Sequence, residues 1–306
     1  MIAGAVAALA IAGGTADAAA RPATGAQHHG PSHRGAPSGG YDYYLALGDS
    51  LAWGYQPNST GVGVRSGHGY ADDLAGYLRT HGDRGVKYVN LSCPGETTGT
   101  MLDGGCPDLA GSGQKYTVQV DAAAAFLRAH PHSRILVTLD IGANNVDGCL
   151  SAGSLDTTCV TQGVAEAGVQ VPQLLQKLKK AAGPRVSFVG MNYYDPVLAE
   201  WMTGAAGQTL AQASVALSTA FNGVLGTAYA AYGVPVADVS TAFKTNDFTD
   251  TAPLDGTRVP VNVANICTLT WMCAPSPIGP NIHANNAGYA LIAGTFEAKL
   301  PYHHRR

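Results

Sequence analysis

The stretch Leu45-Ala46-Leu47-Gly48-Asp49-Ser50-Leu51 decides the fold class. Three consecutive apolar residues suit a strand covered on both faces, as in a parallel sheet, whereas a half-exposed strand would alternate. Gly48 permits a tight turn, and Ser50 can open the helical turn that follows. Outward from here the same succession recurs. Lys87–Leu91, Arg134–Ile141, Arg185–Met191 and Pro235–Val239 read as strands beside Tyr44–Leu47. Helical patterns fall between and after them at Tyr70–Thr80, Val118–His130, Gln162–Ala181, Ala205–Tyr232 and Asn286–Leu300. Strands alternating with helices predict parallel pairing through helical crossovers. The expected class is α/β, one three-layer α/β/α domain over residues 41–302 with about five parallel strands.

Composition narrows the function. The 306 residues carry 18 Lys plus Arg against 21 Asp plus Glu, a formal net charge of −3. That balance gives no electrostatic case for nucleic acid. Charged residues make up 13%, about half the roughly 25% usual in soluble domains. With 39 glycines and 46% apolar residues, the chain reads as compact and loop-rich rather than disordered. No apolar run reaches the ~20 residues of a membrane span.

The two ends read differently from the body. Residues 1–20 are expected to be a signal peptide: Ile2–Gly14 is uncharged, and the small residues after it suit cleavage following Ala18 or Ala20. Residues 21–40 (RPATGAQHHGPSHRGAPSGG) read as a disordered linker. His28, His29 and His33 lack a Cys or acidic partner there, so no metal site is expected. Residues 303–306 read as a solvated tail. The six cysteines form three close pairs along the chain, each in its own Gly- or Pro-rich loop. Of the 15 possible connectivities, the expected one is Cys93–Cys106, Cys149–Cys159 and Cys267–Cys273. Disulfides agree with export to an oxidising, extracellular location.

Four motifs carry the chemistry. Ser50 follows the first strand. Asn90-Leu91-Ser92-Cys93-Pro94-Gly95-Glu96 follows the second, and Asp140-Ile141-Gly142-Ala143-Asn144-Asn145 ends the third. Each is bland alone: a capping serine, a turn, a pair of turn amides. In a doubly wound sheet of the flavodoxin-like order 2-1-3-4-5, however, these three strands are adjacent, and ligands bind at their carboxyl ends. Ser50, Gly95 and Asn144 would then share one crevice. A serine nucleophile needs a base, and an oxyanion needs donors fixed in advance. The N–H groups of Ser50 and Gly95 and the Asn144 amide supply the donors. His283, in Asn281-Ile282-His283-Ala284-Asn285 before the last helix, can fold back over the rim as base.

With these residues in order, the chain resembles the SGNH (GDSL) hydrolase superfamily over about residues 43–300, and most nearly its secreted actinobacterial esterases and lipases. Ser50 matches the nucleophile of the Gly-Asp-Ser-Leu block, Gly95 the second block's glycine, Asn144 the third block's asparagine and His283 the last block's histidine. The resemblance implies the three-layer fold and ester hydrolysis. Two positions depart from the pattern. Asn145 stands where the third block usually has Asp, and Pro280 occupies the place of the acid that precedes the histidine by three residues. The third member of the triad is therefore expected to be a main-chain carbonyl at or near Pro280, giving a Ser–His dyad, with Asn281 as a possible helper or turn former.

The mechanism that follows is acyl transfer through Ser50, with His283 as base and Ser50, Gly95 and Asn144 as the oxyanion hole. Neither metal nor organic cofactor is required. Activity is expected to fall below roughly pH 6.5 as the base protonates. Trp53, Tyr55, Tyr193, Tyr194 and Trp201 are candidates to line an apolar acyl pocket or to pack the core. The substrate is expected to be a lipid, phospholipid or simple carboxyl ester. Acetyl groups on a polysaccharide and an inert binding module on the same fold are the alternatives. A monomer is expected, without nucleic-acid partners or stable membrane insertion.

Overall fold

The computed structural model describes residues 40–151 and 154–300. The expected signal peptide, the linker up to residue 39 and the tail at 303–306 lie outside the described residues. The central sheet has five strands: β1 (Tyr43–Gly48), β2 (Lys87–Asn90), β3 (Ile135–Asp140), β4 (Val186–Met191) and β5 (Val236–Ala237). Their order is β2-β1-β3-β4-β5, and every neighbouring pair is parallel. This is the 2-1-3-4-5 order expected from the sequence.

Helices that flank the sheet include α1 (Ser50–Trp53), α2 (Tyr70–Thr80), α3 (Gln119–Ala129), α4 (Thr157–Ala181), α5 (Ala205–Ala231) and α6 (Asn286–Glu297). The chain moves one way from β1 to β2 and the opposite way from β2 to β3. Right-handed crossovers therefore send α2 to one face and α3, α4 and α5 to the other. Accordingly α2 packs against α6, while α3, α4 and α5 pack in succession. β1 is the hub: Tyr44, Leu45, Ala46 and Leu47 are fully buried, as its unbroken apolar run required. α2 buries Tyr70, Leu74 and Leu78 at fourfold spacing, the stripe that holds it to the sheet.

Some elements depart from the sequence reading. α4 begins at Thr157 rather than 162, because the Asp156 carboxylate accepts the N–H groups of Thr158 and Cys159 and starts the helix early. β5 is only two residues long, since Asp238 caps a short helix over Val239–Ala242 directly after it. Two hairpins were not legible: Tyr55–Pro57 with Gly63–Arg65, and Thr251–Leu254 with Thr257–Pro260. Disulfides join Cys93 to Cys106, Cys149 to Cys159 and Cys267 to Cys273. No helix among the described residues is long and apolar enough to cross a membrane.

Candidate active site

Gly48 pairs with Asp140 at the ends of β1 and β3, so the segments beyond leave the sheet at one level, its switch point. Gly48 has φ +135°, and a methyl carbon there would lie 2.1 Å from the Asp140 backbone and carboxylate oxygens. Only glycine turns this close to β3. Asp49 then caps α1, its carboxylate accepting the Leu51 N–H at 3.0 Å. Ser50 takes the first position of α1, where a backbone N–H has no acceptor within the helix.

His283 comes from the far end of the chain. It lies on the strand Asn281–Ala284, which pairs with Thr270–Trp271 just ahead of α6. Its Nε2 is 2.8 Å from Ser50 Oγ, and its Nδ1 is 2.7 Å from Asn281 Oδ1. The same Asn281 oxygen accepts the His283 backbone N–H at 3.0 Å. A backbone N–H can only donate, so this second bond fixes which amide atom faces the ring. Nδ1 therefore carries the proton and Nε2 turns its lone pair to Ser50. The expected acceptor, the carbonyl of Pro280, is thus replaced by a side chain. Asn281 folds an Asx turn over His283, which a proline without a side-chain acceptor cannot make. Loss of hydration in this enclosed position lowers the imidazole pKa from 6.5 to about 3.

The donors expected for an oxyanion sit on the neighbouring loops. Asn144 lines the cleft with Ser50 and His283. One N–H of its amide is held by the Glu96 carbonyl at 2.9 Å, which leaves the other available. Gly95, at φ +80°, is the residue before that carbonyl and does not itself line the cleft. Asn145, where the family pattern has an acid, accepts the Thr98 N–H at 3.0 Å and donates to Thr98 Oγ1 at 2.8 Å. It fastens the third loop to the second.

Gln119 escaped the sequence reading. Its Oε1 accepts the Gly48 N–H at 2.7 Å, and its Nε2 donates to the Gly48 carbonyl at 3.0 Å and to the Glu96 carboxylate at 2.7 Å. All three bonds are buried, so the end of β1 and the Gly95 loop are set by one side chain. A glutamine opening a helix carries no such signal in sequence. Behind the serine lie two further buried acids. Asp49 accepts the Tyr193 hydroxyl at 3.2 Å, and Asp140 accepts the Tyr70 hydroxyl at 2.7 Å and the Ala52 N–H at 3.2 Å. Burial raises both carboxyls, and Asp49 beside it raises Asp140 further, because two adjacent buried carboxylates cannot both ionise cheaply.

Above Ser50 the cleft wall is largely apolar, with Val146, Val160, Val197, Leu217 and Phe221 on it. Of the five aromatics singled out in the sequence, Tyr193 and Tyr194 line the cleft. Tyr55 stacks on His283. Trp53 is buried, its indole donating to the Ser112 carbonyl at 3.3 Å, and Trp201 packs on Phe248; neither lines the cleft. Cys93, Glu96 and Cys106 cluster as metal ligands might, but the two sulfurs are bonded to each other. A disulfide offers no thiolate to a cation.

Solved structures share this fold at low identity. An extracellular lipase from Streptomyces rimosus is 19% identical with a TM-score of 0.53, over 84% of this chain and 99% of that one. Phospholipase A1 from Streptomyces albidoflavus NA297 is 17% identical with a TM-score of 0.52, over 85% and 100%. An acetyl-xylooligosaccharide esterase from Geobacillus stearothermophilus is 14% identical with a TM-score of 0.50, over 88% and 98%. No curated protein matches the sequence. A family model matches residues 46–291, a span that begins inside β1 and ends in α6 and so takes in Ser50, Gly95, Asn144 and His283 together. By that match the chain belongs to the GDSL-like lipase/acylhydrolase family and is a carboxylic ester hydrolase.

Proposed function

We propose that the protein is an exported carboxylesterase of the lipase type that acts through an acyl-Ser50 intermediate. The observation that carries this reading is the 2.8 Å contact between His283 Nε2 and Ser50 Oγ, with the tautomer pinned by Asn281. His283 takes the Ser50 proton as Oγ attacks the ester carbonyl. The Ser50 N–H and the Asn144 amide, both on the cleft, receive the oxyanion, each worth about 3–4 kcal/mol in the transition state. His283 then protonates the leaving alcohol and activates water to release the acid. Asn281 keeps the imidazole in the tautomer that both steps need. Export is supported by the three disulfides, which persist in oxidising compartments.

The apolar wall supports a substrate acyl chain longer than acetyl. Asp195 on that wall is already engaged, its carboxylate accepting the Ser214 hydroxyl at 2.6 Å and the Val197 N–H at 2.9 Å. Each methylene moved from water into such a site gains about 0.8 kcal/mol. A series of p-nitrophenyl esters should therefore show kcat/KM rising from acetyl through butyrate to the medium chains. Acetylated xylan, run beside it, should be a poor substrate. A preference for acetyl, or efficient release of acetate from the xylan, would overturn the lipase-type reading.

The pH profile should also differ from that of a solvated histidine. A base must be neutral to act, and the His283 pKa is lowered by loss of hydration. The acid limb of kcat/KM, followed by pH-stat, should therefore lie well below pH 6.5 rather than at the value expected from sequence. A limb at or above 6.5 would contradict the enclosed imidazole.

A further inference from the structure

The hairpin Tyr55–Pro57/Gly63–Arg65 carries no residue of the four motifs, yet it is bonded closely to the segment that bears the base. The Tyr55 carbonyl accepts the Tyr289 hydroxyl at 2.7 Å, and Gln56 Nε2 donates to Asn286 Oδ1 at 2.6 Å. Both partners lie on α6, immediately beyond His283. The hairpin then lays the Tyr55 ring over the imidazole, with centroids 3.9 Å apart and planes 25° from parallel. Its strands are shaped for this. A methyl carbon at Gly63 would fall 2.1–2.4 Å from Tyr55 Cε2, Cζ and the hydroxyl oxygen, so the ring lies flat across this glycine and a larger residue there would displace it. From the loop after β4 the Tyr194 hydroxyl donates to the Ile282 carbonyl at 2.6 Å, fixing the backbone before the base.

We propose that Tyr55 is a positioning residue for His283: its ring holds the imidazole plane toward Ser50 and stabilises the imidazolium that forms as the serine is deprotonated. The proposal rests on the reading of His283 as base. Its physical ground is the neutral partner at Nδ1. Asn281 fixes the tautomer but brings no charge, and the acids lining the cleft, Asp49, Asp147 and Asp195, make no hydrogen bond to the ring. The positive charge that develops in the transition state therefore meets an aromatic face, whose quadrupole attracts cations.

The test compares Tyr55→Leu and Tyr55→Phe in the full chain, with p-nitrophenyl butyrate as substrate and thermal melting to set the folded fraction. Tyr55→Leu should lower kcat about tenfold, the scale of a partly desolvated cation–π contact, with KM within about twofold. Tyr55→Phe keeps the face and should retain kcat within about twofold. Wild-type kcat in Tyr55→Leu, a loss in Tyr55→Phe as large as in Tyr55→Leu, or a loss that tracks the melting temperature alone overturns the proposal. Ser50→Ala run in parallel separates the two readings. If it is inactive while Tyr55→Leu is unimpaired, only the role of Tyr55 falls; if it remains active, the serine–histidine mechanism itself is wrong.

Discussion

Ser50→Ala should lower kcat by at least about 10⁴-fold and leave the fold intact. The expectation follows from what the hydroxyl touches. Its partner is His283 Nε2, and the residue lines the cleft. Alanine keeps the Cβ and the backbone, so the cap by Asp49 on Leu51 survives and α1 still forms. Losing one such hydrogen bond costs stability about 1 kcal/mol. The contrast between a vanished turnover and a nearly unchanged melting temperature is the signature of a nucleophile. A serine-directed phosphonate followed by peptide mass mapping makes the same point chemically. Label should sit on Ser50 and be absent from the alanine variant. Label elsewhere, or residual activity near wild type, removes Ser50 from its proposed role.

The second large effect is expected at Asn281. Asn281→Leu removes the acceptor at Nδ1 and frees the imidazole to swap tautomers or rotate. We expect kcat to fall at least about 10²-fold, short of the roughly 10⁴ that losing a charged triad acid can cost. Asn281→Asp should restore turnover, because a carboxylate can accept the same two bonds from the backbone N–H and from Nδ1. It also adds a negative charge beside the ring, which favours the imidazolium, so the acid limb of kcat/KM should move to higher pH. A leucine variant with wild-type kcat would show that another group orients the base. Asp247 and Asp250, acids near the last block in sequence, are not rivals for that role. Their carboxylates engage Lys244 and the local turn.

The main lines of the fold were legible because they rest on burial. β1 and α2 could be drawn from the apolar run at 44–47 and the fourfold stripe from Tyr70, and both stand where the pattern put them. Elements held by polar bonds were not legible. The start of α4 depends on a carboxylate at Asp156, and the Tyr55 hairpin on bonds to residues more than 200 positions away. The site divides along the same line. Ser50, Gly95, Asn144 and His283 could be nominated because strand order brings their segments together and because they match a family pattern. Pro280 was nominated by position in that pattern, but the bond is decided by reach, and the adjacent amide side chain reaches the ring. Gln119 shows the limit: nothing in a helix-opening glutamine announces that both polar groups of Gly48 will close on it.

The order of the pieces along the chain has a consequence for biogenesis. The nucleophile directly follows the first of the five sheet strands, whereas the base lies between the last sheet strand and the final helix. Synthesis runs from the N-terminus, so the serine, its cap and the loops of Gly95 and Asn144 exist before His283 has been made. Among the contacts that seat the base, Gln56 with Asn286 and Tyr55 with Tyr289 each span more than 200 positions. Closing so long a loop comes late in assembly. A growing or truncated chain that ends before His283 is therefore a nucleophile without a base, chemically silent toward the esters around it, and hydrolytic competence arrives only when the two ends of the molecule meet.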